Sequence, residues 1–177
     1  MHGDPRRAAA FYSALFGWDC TNGVARLGGR AVAGIGAAGR LAAPAWITRV
    51  RVASVEQTVA AALAAGGSLI SRPGRVALLA DPAGAPFAVG EADGAEIVNE
   101  PGSWDLSTLR TPAPAAAEVF YGAVFGWRPE PFGSMTLWRL EGYVGGLPEQ
   151  PVPRDTVAIM TAHDGAPATW SIDFPRA

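Results

Sequence analysis

Asp105 and Glu141 are carboxylates that fall on or beside candidate strands. A carboxylate facing a dry cavity has its pKa raised and can pass a proton as a general acid or base. A solvated strand-edge carboxylate is the more frequent reading of the same pattern. Trp46, Trp104, Trp138, Tyr143 and Trp170 also lie in candidate strands. Large amphipathic rings grouped this way suit a flat organic ligand, and they also suit a core between helix and sheet. Thr48 shares a strand face with Trp46, while Arg49 and Arg51 alternate onto the other face. There they would meet an anionic or polyphenolic ligand, or only water. The ligand-binding candidates are therefore Trp46, Thr48, Arg49, Trp104, Trp138 and Tyr143, and the catalytic candidates are Asp105 and Glu141.

Other reactive types are sparse. Cys20 follows a helix and does not sit at the helix N-terminus that would lower its pKa. His2 is next to the chain start, and His163 precedes Asp164-Gly165 in a turn-like composition, so both read as solvated. No Ser-His-Asp ordering or G-x-S-x-G stands out. Gly34-x-Gly36-x-x-Gly39 matches a dinucleotide-loop spacing, but no helix follows it, as phosphate binding would require.

The elements that must hold these residues are short. The chain has 177 residues, 49% hydrophobic and 17% charged, enough to bury a core. Its formal charge is −2, and its 14 basic residues, all Arg, are scattered. That argues against the basic stripe that nucleic-acid binding uses. A single cysteine allows no internal disulfide and implies a reducing compartment. No stretch has the length of a membrane span, and the first residues lack the pattern of a signal peptide. A cytoplasmic protein is expected.

Asp4 and Pro5 mark a helix start, and Ala8, Phe11, Tyr12, Leu15 and Phe16 form one apolar face that Gly17 ends. Strands are expected at 23–29, 30–36 and 46–53. Ser54-x-x-Gln57 opens a second helix, closed by Gly66-Gly67. Strands follow at 68–71, 75–80 and 86–91, with a D-P-A-G turn at 81–84. Residues 93–103 read as a linker or extended crossing. A strand at 104–110, a helix from 111 to 125, and strands at 134–140, 143–148, 154–162 and 169–174 complete the chain.

The order is a repeated βαβββ unit. FYSALFGW (11–18) returns as FYGAVFGW (120–127), VAGI (32–35) as VGGL (144–147), and PAW (44–46) loosely as PATW (167–170). With these repeats and the phrases GSLISRPGRVALLADPAGAPFAVGE and EIVNEPGSW, the chain resembles the vicinal oxygen chelate superfamily. That is the glyoxalase, bleomycin-resistance and extradiol-dioxygenase group, here in its tandem-module form. The resemblance implies an α+β fold of curved, mostly antiparallel sheets with helices on the outer face. It implies a first domain at 1–92 with two modules, its opening strand missing, and an incomplete second domain at 93–177. Apolar surface left by the incomplete module is expected to be closed by a second chain in a homodimer.

Family enzymes hold a divalent metal through His, Glu or Gln on facing strands. The resemblance places those positions near Ile47, Ala88 and Trp104, with Asp105 within a residue of the last. No set there supplies three good ligands, so neither metal nor other cofactor is expected. The expected function is metal-free binding of a small, planar or aromatic ligand in a strand-lined cavity. A metal-independent enzyme of small-molecule or secondary metabolism is the first alternative, and a degenerate partner-binding copy the second.

Overall fold

A computed structural model describes residues 4–37, 41, 43, 45–92, 94–145 and 152–175. His2, Gly39 and part of the expected 143–148 strand lie outside them. By contacts the chain divides into two compact units.

The first unit comprises Met1–Trp46, Asp93–Asp105 and Asp173–Ala177. Helix α1 (Pro5–Phe16) begins with the Asp4 side chain accepting from the Arg6 N–H, and Pro5 stands in its first turn. Gly17 ends the helix at φ 71°, a conformation that side chains disfavour. Strands β1 (Asp19–Thr21), β2 (Val24–Leu27) and β3 (Arg30–Gly34) form an antiparallel sheet in that order. Its core joins Trp18, Ala25, Val32 and Ile97, flanked by Tyr12, Phe16, Trp46 and Phe174.

Two expectations change here. The stripe on α1 is not a buried face: no residue of α1 is buried, and Phe11 and Leu15 are 49% and 57% exposed. The expected linker is also part of a core, because Ile97 is 4% exposed and the Trp18 indole N–H donates to Gly102 O at 2.7 Å. Ser103 closes the same turn, its hydroxyl accepting from Glu100 N–H and donating to Glu100 O.

The second unit comprises Ile47–Ala92 and Leu106–Ile172. It holds two βαβββ modules. The first has β4 (Arg49–Arg51), α2 (Val55–Ala64), β5 (Ser68–Ser71), β6 (Val76–Ala80) and β7 (Pro86–Gly90), with sheet order β4-β7-β6-β5. The next has β8 (Leu106–Thr111), α3 (Pro114–Phe125), β9 (Arg128–Phe132), β10 (Met135–Arg139) and β11 (Thr156–Ala162). With β12 (Thr169–Asp173) these give the order β12-β8-β11-β10-β9. In each module the first and last strands pair in parallel, as a helical crossover permits, and the internal hairpins are antiparallel. The α+β class with mostly antiparallel sheets is thus observed.

Strand β9, RPEPF, was not anticipated. All five residues are exposed and two are proline, a composition tolerated at a sheet edge that otherwise reads as a loop. The domain boundary expected from the repeat lies at 92/93, whereas contacts group the second and third modules together. Duplication and packing need not share a boundary.

One core joins the modules of this unit: Val59, Ala62, Phe87 and Val89 from one, Phe120, Tyr121, Trp127, Trp138 and Met160 from the other. Gly67 permits the approach. A Cβ there would stand 2.8 Å from Ala80 O and from the Phe120 ring, and 3.0 Å from Ala62 O. Gly67→Ala is expected to cost about 1–3 kcal/mol by overpacking, read from urea unfolding. An unchanged midpoint would mean that the helix and ring move apart freely.

Candidate functional site

Alternation along β4 sends its residues two ways. Val50 packs into the core with Val52 just beyond the strand, whereas Arg49 and Arg51 are exposed. In register, Arg49 stands beside Ala88 and Arg51 beside Gly90 of β7. The Arg49 guanidinium donates to Ala92 O and lies against Gly90. A Cβ on Gly90 would meet Arg49 Nε at 3.0 Å and Cζ at 3.4 Å, so a side chain there would press the guanidinium aside by a few tenths of an ångström. Just before β4, the Thr48 hydroxyl donates to Ser107 Oγ at 3.0 Å. Arg49 and Thr48 are thus two candidates held at the start of one strand.

Glu91 follows β7 but is engaged elsewhere. It accepts from Val55 N–H at the start of α2 and from Arg75 at 3.2 Å. The Val55 bond first, then Arg75, holds its carboxyl below the ordinary range, as a helix N-terminus does. It caps α2 beside Ser54, whose side chain accepts from Gln57 N–H at 3.3 Å.

The other candidates are dispersed. Trp46 is half-buried among Tyr12, Trp18 and Phe174 in the first unit. Trp104 is half-buried there and bridges to Val98. Trp138, expected to contact ligand, is 0% exposed and packs against Tyr121 and Trp127, on the helix side of its sheet. Such a ring fills core and lines no accessible face. Tyr143 is half-buried outside any strand, and burial raises its phenol pKa.

Of the acid–base candidates, Glu141 is a surface carboxylate: its side chain is 87% exposed and pairs with Arg128 at 3.8 Å. Asp105 keeps contact with solvent, yet partial desolvation and, second, the like charge of Asp173 raise its pKa above 3.8. The Asp105 N–H donates to Asp173 O at 3.0 Å.

The donor set does not fit a divalent metal. Ile47 and Ala88 carry no ligating atom, and the Trp104 indole only donates. Among the described residues no three His, Cys, Asp or Glu side chains gather, and His163 is exposed in a loop.

Sequence reasoning missed a buried polar chain in the second unit. Asp81 Oδ1 accepts from Ala83 N–H and Ala85 N–H, each at 2.9 Å, and Oδ2 accepts from the Tyr121 hydroxyl at 3.1 Å. The Trp170 indole N–H donates to the same Tyr121 oxygen at 2.9 Å. All three residues are buried. The D-P-A-G turn was the available signal, since Asp in such turns bonds its own backbone, but its reach to Tyr121 is tertiary.

Three comparisons bear on this architecture. A family model described as "Glyoxalase-like domain" matches residues 2–90. "Putative glyoxylase CFP32" of Mycobacterium tuberculosis is 30% identical over 203 aligned positions, covering 97% of this chain and 72% of that protein. "Anthracycline biosynthesis protein DnrV" of Streptomyces peucetius is 39% identical over 93 positions, covering 48% of this chain and 34% of that protein. Among solved structures, 2,2',3-trihydroxybiphenyl 1,2-dioxygenase from Sphingomonas wittichii aligns with a TM-score of 0.50 at 14% identity. It covers 92% of this chain, which in turn spans 64% of the dioxygenase chain, and at that identity it speaks for the fold alone. With the repeated βαβββ modules, these matches mean that the chain belongs to the glyoxalase-like family of the vicinal oxygen chelate superfamily.

Proposed function

We propose that this protein binds a small planar or aromatic organic ligand, without a metal, at the exposed β4–β7 strand face that carries Arg49, with Thr48 on the opposite face of the same strand. The observation that carries the reading is the seat of Arg49 against Gly90 and Ala92 O. A cation held on a strand is a ready polar anchor for a flat ligand, by stacking or by hydrogen bonds. The family supports small-molecule work. The likeness to a protein named for anthracycline biosynthesis favours a polycyclic ligand from secondary metabolism. We place the protein in the cytoplasm, without nucleic-acid or membrane partners. We also expect a homodimer, for which the exposed Phe11 and Leu15 offer apolar surface and which sedimentation velocity reads directly. No described helix is long and apolar enough to cross a membrane.

A second reading, a metal-independent acid–base enzyme, draws on the raised pKa of Asp105. One experiment separates the two. Calorimetric titration with a panel of planar aromatics is expected to find a binder, with Arg49→Gln weakening it about tenfold and Asp105→Asn leaving it unchanged. Binding untouched by Arg49→Gln would remove the site. Turnover of a panel member that Asp105→Asn abolishes would favour the enzyme.

A further inference from the structure

We infer that β9 is a sealed edge: it closes the five-stranded sheet against strand addition, so strand-to-strand assembly of this chain cannot run through it. Three observations converge. β9 (RPEPF) is the terminal strand of its sheet, and all five of its residues are exposed. Its antiparallel ladder with β10 runs without a break, from Arg128 beside Arg139 to Phe132 beside Met135. Pro129 and Pro131 lie inside that ladder and have no backbone N–H to give it. Antiparallel pairs alternate between those that exchange hydrogen bonds and those that do not. An unbroken ladder therefore requires Arg128, Glu130 and Phe132 to supply the bonds to β10. Pro129 and Pro131 then turn their backbone outward. An added strand would meet their carbonyl oxygens there and no N–H.

The neighbouring strands show what this edge covers. β10 (MTLWR) and β11 (TVAIMTA) are rich in apolar and β-branched residues, and β11 has no charge and no proline. Such segments invite edge-to-edge pairing when the sheet can be extended. Arg128 and Glu130, paired with Glu141 and Arg139, add charge along the same edge. Proline at alternate positions thus removes the outward donors and leaves the inward bonds to β10 intact.

The test uses the intact chain and restores the missing donors in Pro129→Thr/Pro131→Thr. In dilute protein both new amides are expected to exchange with deuterium at least about tenfold faster than the Glu130 amide, because they face outward. At rising concentration, sedimentation velocity should show this variant associating beyond the wild-type state, with the new amides becoming protected as it does. Arg128→Thr keeps both prolines and should sediment as the wild type does. Circular dichroism confirms that each variant is folded, and Pro131→Thr, which restores one donor, replaces the double variant should that one unfold. Protection of the new amides in dilute protein would place them toward β10 and overturn the inference. So would a folded proline variant that associates no more than the wild type, or an Arg128→Thr chain that associates as strongly as the proline variant.

Discussion

Trp138→Ala is expected to lower the unfolding free energy by about 3–5 kcal/mol, the largest single effect in the chain. The residue is 0% exposed, with ring centroids 5.7 Å from Tyr121 and 6.1 Å from Trp127. Truncation would leave a cavity between α3 and its sheet. Trp138→Phe should cost far less, about 1–2 kcal/mol. It keeps a ring and removes an indole N–H that has no hydrogen-bond acceptor among the described residues. Urea unfolding reads both. Neither substitution should alter ligand affinity in folded protein, and a selective loss of affinity in Trp138→Phe would restore Trp138 as a ligand contact.

Tyr121→Phe comes second, at about 2–4 kcal/mol. The hydroxyl serves two buried partners at once, donating to Asp81 and accepting from Trp170. Removing it strands a carboxylate oxygen and an indole N–H, and stranding a buried group costs more than the mean worth of a bond. A loss below 1 kcal/mol would mean that water replaces the hydroxyl.

The pH dependence of this chain has a defined sign. Burial, its largest influence, raises the Asp81 pKa above 3.8, against the opposing pull of the Ala85, Tyr121 and Ala83 hydrogen bonds. Folding therefore favours the protonated acid. The stability this linkage supplies is full below the unfolded pKa and is lost as pH rises through the folded one. Wild type minus Asp81→Asn should thus become less favourable as pH rises from about 4 upward.

Local signals in the sequence carried much of this architecture. Asp4 and Pro5, Ser54 with Gln57, and the Gly17 stop depend on neighbours within a few residues, and each reads directly. The repeat located α1 and α3 together. Burial was less legible, because it depends on what the rest of the chain brings. Phe11 and Phe120 occupy the same place in the repeated phrase, yet one is 49% exposed and the other 1%. The Phe120 ring meets Phe87, and nothing local to either phrase encodes that contact. RPEPF hid as a strand because an exposed edge needs no apolar alternation. The same limit scattered the candidate site: strand alternation separated Arg49 from Val50 correctly, but it could not say that Trp138 faces α3 while Arg49 faces outward.

Amide chemical-shift mapping during titration with a bound planar aromatic compound tests the central claim most directly. The account predicts shifts concentrated at residues 48–51 and 86–92, reduced in Arg49→Gln. Shifts confined to other strands, or none with any planar aromatic compound, would contradict it.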